Sequence, residues 1–477
     1  MIDVGTSSVR AAVVRPEARV EHVHRLPLPP DVPMPGLVEF DPSAMAAAAI
    51  GVAGAALETG GPVDAVAVTA QRASAIAWDA RTGLPVGPGL GWQDLRTAGT
   101  CLELQAQGIR FSPSESATKF AWLLHQLPAD QRDHVKLGTV DSWLAWQLTD
   151  GQCHITDPSN AAVTGLYSLD GRGWRQDGLE RLGIPATALP TVVDSSGQLA
   201  TATALPGAPA LCGLIGDQQA SMLGQGCTRP GLAKATFGTG AMLDVCIGDA
   251  RPGFSIRGEG GCFPIIAWQR EGQITWGVEA IMLAAGTAVD WLVEDLGVLK
   301  TAAESETVAA QCDDTGGVVA VPALQGFGTP QWDFGARGAV FGLTRGSGRP
   351  ELVRAVLEGI AHSGADLLEA AERDAGLHVG HLRVDGGMSA NGVFVQALAD
   401  ACGRPIEVSP ELEATTLGAG LLAGLATGVW ADLDEVAATW SPKAVVEPSG
   451  RPAERDRWRR ATERAGQWYP ELSALSF

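Results

Sequence analysis

The sequence contains few cysteines, and their spacing predicts neither a metal site nor a disulfide framework. Its eight cysteines stand singly along 477 residues, without a C-x-x-C pair, whereas zinc sites and small disulfide-bonded domains place cysteines in close pairs. The sequence also lacks an uncharged apolar run of about 20 residues, the length that a membrane-spanning helix needs. Its first residues show neither the basic nor the apolar segment of a secretion signal. These absences predict a cytoplasmic protein that binds no membrane.

Positive charge is scarce as well. The chain carries 34 lysine and arginine residues against 54 aspartate and glutamate residues, a formal net charge of -20. Such a chain repels nucleic acids and anionic lipids, so we expect neither as a partner. A phosphate-bearing ligand would have to be held by local N–H groups and a metal ion. With 45% hydrophobic residues the composition is globular, and the length predicts two domains.

The first residues, MIDVGTSSVRAAVV, predict two apolar strands joined by a polar turn. Asp3 would project from the end of the first strand, and the turn offers N–H groups and hydroxyls at Gly5, Thr6, Ser7 and Ser8. A bound phosphate needs such groups, although short motifs of this kind also occur in ordinary turns. The motif alone leaves both interpretations open.

A second hairpin of the same design occurs in LAKATFGTGAMLDVCIGD, whose turn is Gly238–Gly240. Two such hairpins predict a ligand held between two domains, with a boundary near residues 222 to 230, so that the domains span 1–225 and 226–477. Strands that alternate with helices indicate an α/β fold. We also expect a helix over residues 280–296, and a C-terminal helix docked through Trp458 and Trp468.

Four pieces of sequence carry groups that phosphoryl transfer requires, namely phosphate cradles, carboxylates for Mg²⁺ and a base near the acceptor hydroxyl. They are Asp3 with its turn, GDQQASMLGQG around Asp217, the turn at Gly238–Gly240, and DGGMSAN at Asp385–Asn391. Asp217 is the candidate base, although an aspartate before QQASML is also typical of a helix N-cap. Gly386 and Gly387 lack Cβ atoms, so an adenine ring could lie flat against their backbone.

With these motifs in order, the sequence resembles the FGGY carbohydrate kinases, and within them the glycerol kinases. The resemblance runs nearly end to end, through DVGTSSVRAAVV, VTAQRASAIAWDARTG, GWQDLRT, SATK, GDQQA, FGTG, ARGAVFGLTRG, VDGGMSAN and ATTLGAGLLAGLATGVW. It implies an α/β protein of two ribonuclease-H-like domains, of the actin/sugar kinase/Hsp70 type. ATP and Mg²⁺ would bind in the cleft between them, and a small polyol or sugar would accept the phosphoryl group.

The resemblance also implies roles for individual residues. Asp217 matches the catalytic base, and Asp3 and Asp217 are the expected metal ligands. The expected nucleotide-binding residues are Thr6, Ser7, Ser8, Gly238, Thr239, Gly286, Gly386, Gly387 and Asn391.

The substrate pocket departs from the glycerol kinase pattern. Arg72, Trp92 and Asp217 are kept, but Ala73 replaces a glutamate, Ser114 a tyrosine and Met242 a phenylalanine. The loss of a carboxylate and two rings predicts a wider pocket and a substrate larger than glycerol. The expected substrate-binding residues are Gln71, Arg72, Trp92, Asp94, Ser114, Asp217 and Met242, of which Gln71 and Asp94 could equally be surface or capping residues.

Several alternatives stay open at this point. Within the enzyme class they are a xylulokinase-like ketose kinase and glycerol kinase proper. Outside it they are an actin-like ATPase without a sugar substrate and a non-catalytic sugar-binding protein, because fold alone does not determine function. We further expect a homodimer. Only Met1 and Ile2 precede Asp3, whereas strands in the middle of a sheet usually have about five or six residues. Either the true start lies upstream, which we expect, or the sheet tolerates a short first strand.

Overall fold

The computed structural model describes residues 1–168, 170, 173–410 and 413–475. Its strands are β1 Ile2–Val4, β2 Ser8–Val14, β3 Val20–Pro27, β4 Glu39–Phe40, β5 Ala65–Ala70, β6 Ile76–Asp79, β7 Leu84–Pro85, β8 Gly89–Leu90, β9 Val135–Gly138, β10 Ile155–Thr156, β11 Thr191–Val192, β12 Ser196–Thr201, β13 Ala210–Gly216, β14 Ala233–Phe237, β15 Ala241–Gly248, β16 Phe263–Arg270, β17 Gln273–Met282, β18 Val319–Val321, β19 Ala339–Phe341, β20 Leu382–Asp385, β21 Ile406–Val408 and β22 Ala444–Val446.

Its helices are α1 Pro42–Gly60, α2 Ala98–Gln105, α3 Ala117–His125, α4 Ala129–Arg132, α5 Val140–Leu148, α6 Pro158–Ala162, α7 Gln176–Leu182, α8 Asp217–Gly224, α9 Gly286–Glu294, α10 Glu304–Ala309, α11 Arg349–Ala375, α12 Gly392–Cys402, α13 Ala414–Thr427, α14 Leu433–Ala438, α15 Arg455–Ala465 and α16 Pro470–Ser473. Short 3₁₀ helices cover Ala186–Ala188 and Gly387–Ala390.

One sheet of 13 strands runs through the molecule in the order β22-β21-β20-β14-β15-β17-β16-β12-β13-β5-β1-β2-β3. Strands β13, β5 and β1 are parallel in one half, and β14, β20 and β21 are parallel in the other. The two halves join through β12 and β16, where a single residue pair, Ser196 and Arg270, is in register. Each half thus repeats an antiparallel hairpin beside parallel strands, which bears out the predicted α/β fold.

Helices α8 and α13 lie against each other between the two halves of the sheet. A Cβ atom at Gly224 would clash with the carbonyl of Ala414, and one at Gly418 with the carbonyl of Ala220. Glycine is therefore required for the close approach of the two helices. Helix α13 also packs on β5, β13 and β12. It therefore follows the predicted domain boundary at 225/226 in the sequence but packs against strands that precede this boundary.

Two expectations from the sequence are wrong. Residues 280–282 end strand β17, and the helix covers only Gly286–Glu294. This helix begins at Gly286 because that residue packs against the Gly238–Gly240 turn. A Cβ atom on residue 286 would lie 2.6 Å from the Gly238 carbonyl oxygen. Trp458 is buried as expected, but Trp468 is 66% exposed, because α15 ends at Ala465 and the chain then turns away.

Helix α1 is the one helix among the described residues that is long and apolar enough to cross a membrane. It packs against β2 and β3, and one stripe of it is buried, including Met45, Ala49 and Ala53. A core helix of a globular protein has the same composition.

Candidate active site

Three parallel strands of the N-terminal half end at the same edge of the sheet. Thr69 of β5 is in register with Asp3 of β1 on one side and with Ile215 of β13 on the other. Asp3 lies near the end of β1, Asp217 directly follows β13, and Arg72 is the second residue after β5. The register therefore brings the side chains of Asp3, Arg72 and Asp217 to one edge, where ligands of open α/β sheets bind.

Asp217 is the first residue of α8, and Gly216 is the N-cap, so the alternative of Asp217 as the capping residue does not hold. Its carboxylate accepts the N–H of Gln218 at 2.8 Å and lies 3.3 Å from Nε of Arg72. Burial raises the pKa of Asp217, while the Arg72 guanidinium and the Gln218 N–H oppose the rise. The side chain keeps 27% of its surface exposed, which leaves room for a ligand hydroxyl.

Arg72 connects the two halves of the sheet. Besides Asp217, its guanidinium donates to Glu279 of β17 at 2.6 Å. Glu279 is opposite Asp244 of β15, which forms a fully buried ion pair with Lys234 at 2.7 Å. Residues directly opposite each other on neighbouring strands have side chains on the same face of the sheet. Lys234, Asp244 and Glu279 therefore form a row of charges on the face of β14, β15 and β17 that is turned toward α8. The opposite face carries the apolar core of the C-terminal half.

The first hairpin is a tight turn whose polar residues differ in exposure. The N–H of Gly5 donates to the carbonyl of Ser8 at 3.0 Å and closes the turn. Ser7 is exposed at its tip, and the Thr6 hydroxyl accepts the indole N–H of Trp92 at 3.2 Å. Ser8, in contrast, is buried in β2, where its hydroxyl accepts from Arg25. Thr6 and Ser7 thus lie at the turn, and Ser8 supports the strand.

The second hairpin is held in place by the start of α9. The N–H of Gly286 donates to the carbonyl of Gly238 at 2.8 Å, and Ala285 donates to that of Thr239 at 2.9 Å. Gly238 and Thr239 are exposed, with open space where a Cβ of Gly238 would lie. These contacts direct the turn outward and explain why residue 286 is a glycine.

The third motif lies beside the second hairpin, because β20 pairs with β14 in parallel and Asp385 is in register with Thr236. A Cβ atom at Gly386, whose φ is 86°, would clash with the backbone of Phe237. Gly387 is exposed, with no atom near the position of a Cβ. Asn391 caps α12 by accepting the N–H of Phe394 and donates to Ser305 at 3.0 Å. Gly387 therefore presents open backbone, and the Asn391 side chain is already bonded.

The N-terminal domain of the FGGY family of carbohydrate kinases matches residues 1–224, and its C-terminal domain matches residues 235–427. The chain belongs to this family. It is an ATP-dependent carbohydrate or polyol kinase with the family's two-domain fold, related to that of actin and Hsp70.

Similar proteins cover this FGGY kinase over nearly its whole length. The glycerol kinase of Halorhodospira halophila is 40% identical over 495 residues, which cover 98% of this chain and 97% of the relative. The crystal structure of Plasmodium falciparum glycerol kinase with ADP has a TM-score of 0.90 at 27% identity, covering 100% of this chain and 98% of the other. A xyloylose kinase from Brucella ovis has a TM-score of 0.85 at 26% identity, covering 100% and 99%.

The FGGY kinases use ATP with Mg²⁺. Among the described residues, no group of three or more histidines, cysteines and carboxylates forms a metal cage. Mg²⁺ in kinases commonly takes only one or two carboxylates and completes its shell with water and phosphates. Burial raises the pKa of Asp3 to about 6, the Arg10 guanidinium at 3.2 Å opposes this rise, and the charge of Asp217 adds to it. The strand register brings both carboxylates to the same edge of the sheet, and a divalent cation between them would relieve their repulsion.

The structure separates the predicted substrate-binding residues into two groups. Arg72 and Trp92 contact site residues directly, and Met242 lies on the strand face that carries Asp244 and Glu279. Asp94, by contrast, is fully buried and accepts from Arg96 at 2.8 Å and from the N–H of Val38 at 2.7 Å.

The remaining predicted residues have fewer contacts. Gln71 is buried behind β1 and donates its N–H to the Val4 carbonyl, and Ser114 is exposed. The Asp94 carboxylate is occupied by Arg96 and by the N–H of Val38, which favours a structural role over contact with a substrate.

Sequence reasoning missed Lys119, although it stands in the family motif SATK. This fully buried lysine donates to the carbonyl of Ala73 at 3.3 Å and to that of Trp92 at 3.2 Å. Ala73 has a φ of 58°, a conformation that residues other than glycine adopt rarely. Lys119 thus ties the loop that carries Arg72 to the loop that carries Trp92, and we regard it as a positioning residue.

The variant Lys119→Met is expected to change how stability depends on pH. Burial lowers the pKa of Lys119 to about 7 from the usual 10.5, while the Asp94 carboxylate opposes this shift. Between pH 7 and pH 10.5, Lys119 is protonated in the unfolded chain but not in the folded one. The free energy of unfolding of the wild type therefore increases as pH rises through this range and decreases as pH falls toward 7. The variant should lack this contribution, which amounts to at most about 1.4 kcal/mol per pH unit.

The measurement is urea denaturation of both proteins at pH 7, 8 and 9. Lys136→Met, which removes an exposed lysine that donates to the Thr187 carbonyl, controls for the loss of one positive charge. A difference between wild type and Lys119→Met that stays constant over this range would contradict the lowered pKa.

Proposed function

We propose that this FGGY kinase transfers the γ-phosphoryl group of ATP to a hydroxyl of a polyol or sugar larger than glycerol. The observation that carries the proposal is the set of small or flexible side chains at Ala73, Ser114 and Met242, beside the Arg72 and Trp92 that contact the rest of the site. A pocket with fewer rings holds a three-carbon chain loosely and leaves room for a longer one.

In this proposal Asp217 is the general base. Its carboxylate accepts the proton of the attacking hydroxyl, and Arg72, fixed by Glu279, keeps it oriented and ionised. The Thr6–Ser7 and Gly238–Thr239 turns would bind the phosphates through N–H and hydroxyl groups, and Gly386, Gly387 and Asn391 would border the adenosine. Asp3 and Asp217 would hold Mg²⁺, which neutralises charge on the phosphates when bound.

Glycerol kinase proper is the second candidate, favoured by the 40% identity to curated glycerol kinases over almost the entire chain. A xylulokinase-like activity on ketoses is the third, supported by the similarity to the Brucella ovis structure. Family membership argues against the earlier alternatives of an actin-like ATPase without a sugar substrate and a non-catalytic sugar-binding protein. We also propose that the protein acts in the cytoplasm, as a homodimer, without nucleic acid or membrane as a partner.

A screen for acceptor-dependent ADP release tests the proposal. Polyols, ketoses, aldoses and cyclitols of three to seven carbons would be compared by kcat/KM at saturating MgATP, with acceptor-free hydrolysis as the baseline. We expect the best acceptor to have more than three carbons. Glycerol as the best acceptor would replace our proposal by the second candidate, whereas a ketose would narrow it to the third.

A further inference from the structure

Asp157 is a fully buried carboxylate outside the set of cleft residues described above. It is the N-cap of α6. Its oxygens accept hydrogen bonds from the hydroxyl of Ser159 at 2.8 Å, from the hydroxyl of Ser195 at 2.6 Å, and from the N–H and the side-chain amide of Asn160 at 3.0 Å and 2.9 Å. A buried charge is costly without such donors, so the carboxylate fixes the orientation of each of them.

Both serines connect this carboxylate to a backbone N–H group. Each serine donates its single hydroxyl hydrogen to Asp157, so its oxygen remains free to accept. Ser159 Oγ accepts the N–H of Gly216 at 2.9 Å, and Ser195 Oγ accepts the N–H of Gln269 at 3.0 Å. Gly216 is the N-cap of α8 in the N-terminal half, whereas Gln269 lies on β16 in the C-terminal half. One carboxylate therefore holds a backbone position in each half of the sheet.

The hydroxyl of Ser159 binds β13 where pairing with the neighbouring strand has already ended. Strand β12 pairs with β13 only as far as Gly213, and the Ser195 carbonyl accepts the N–H of Leu214 at 3.0 Å. Two residues further along, the N–H of Gly216 donates to a side chain instead. A backbone N–H in the interior needs an acceptor, and Ser159 provides the one that the sheet does not.

Gly216 is also confined at its Cα atom. A Cβ atom there would lie 2.6 Å from Oε1 of Gln219 and 2.7 Å from Cδ of Arg72. Nε of Arg72 in turn lies 3.3 Å from the carboxylate of Asp217, the residue that follows Gly216. Because Ser159 holds the N–H of Gly216, it helps to set where the Asp217 carboxylate lies relative to Arg72.

We propose that Ser159, oriented by Asp157, is a positioning residue for phosphoryl transfer. It fixes the start of α8, so that the Asp217 carboxylate meets the attacking hydroxyl. Ser159 and Asp157 are fully buried and act through the backbone of Gly216. A displacement of a catalytic group by about 1 Å can cost about 10²-fold in rate. This inference rests on the proposed kinase function and adds a residue to its mechanism.

Ser159→Ala and Ser195→Ala form a matched pair of variants. Each removes one hydroxyl bond to the same carboxylate and the acceptor of one backbone N–H. Both should lower the midpoint of urea denaturation by similar amounts. Only Ser159→Ala should also lower kcat on the best acceptor, by about 10- to 100-fold, while the KM for ATP stays close to that of the wild type.

Ser159→Thr tests whether the loss of kcat follows the hydrogen bond or the stability. It keeps the Oγ atom but adds a methyl group to a filled site, so it should recover most of kcat without recovering stability. If Ser159→Ala does not fold, Ser159→Cys replaces it, because a thiol is a weaker acceptor of similar shape and should give a smaller loss of kcat. A kcat that follows the denaturation midpoint in all variants, or an equal loss in Ser195→Ala, would overturn the inference.

Hydrogen–deuterium exchange without ligands separates this inference from the proposed function. Ser159→Ala should speed exchange at the start of α8, and Ser195→Ala should speed it in β16. Unchanged exchange at α8 in Ser159→Ala would overturn the inference. If this exchange pattern is found but no acceptor stimulates ADP release by the wild type, the kinase proposal is wrong and Ser159 still anchors α8. If the wild type is active and Ser159→Ala matches its kcat, the kinase proposal stands and the inference is wrong.

Discussion

Asp217→Asn is expected to keep binding ATP, to bind Mg²⁺ more weakly, and to lose about 10²- to 10⁴-fold in kcat. The amide oxygen can still accept the N–H of Gln218, which the carboxylate accepts at 2.8 Å, so the start of α8 should be preserved. An amide cannot take the proton of the attacking hydroxyl, and it loses the charge attraction to Arg72. The defect should therefore appear in kcat rather than in folding.

The measurement compares kcat from ADP release on the best acceptor with nucleotide affinity from calorimetry. Asp79→Asn is the control, because that carboxylate pairs with Arg81 at the surface, away from the cleft. A variant at position 217 that keeps more than about a tenth of the wild-type kcat would remove Asp217 from the role of base.

The combined variant Ala73→Glu, Ser114→Tyr and Met242→Phe is expected to raise kcat/KM for glycerol and to lower it for the larger substrate. Each hydroxyl contact that the wild-type pocket fails to make is worth about 1–3 kcal/mol, so several together amount to roughly three orders of magnitude. Two of the three positions are accessible. Ser114 is exposed, and Met242 is half-buried on the strand face that carries Glu279.

A second triple variant separates chemistry from volume. Ala73→Gln, Ser114→Leu and Met242→Leu fill similar space without adding a carboxylate or a ring, so they should crowd the larger substrate without improving glycerol. Both variants and the wild type are compared by kcat/KM on glycerol and on the best acceptor. If the wild type already converts glycerol as efficiently as any other acceptor, the argument for a wider pocket is wrong.

The local sequence was sufficient to predict those parts of the fold that are determined by residues close together in the chain. Both glycine-threonine hairpins form as predicted, because a turn between two apolar strands is determined by the few residues within it. The order of motifs identified the family, which the domain matches confirm. The predicted helix over 280–296 failed because pairing with β15 and β16, distant in the chain, makes Gln273–Met282 a strand.

Tertiary structure decided how the site is assembled. Arg72 and Glu279 are 207 positions apart, and no local spacing indicates that they meet. The same holds for Lys119, which ties the Ala73 and Trp92 carbonyls together. Arg257 likewise lies over the ring of Trp332, a contact between distant segments of the chain. The residue types at the two hairpin turns were thus readable from the sequence. Pairwise contacts between distant strands and loops exist only after folding, because sheet order and register bring them together.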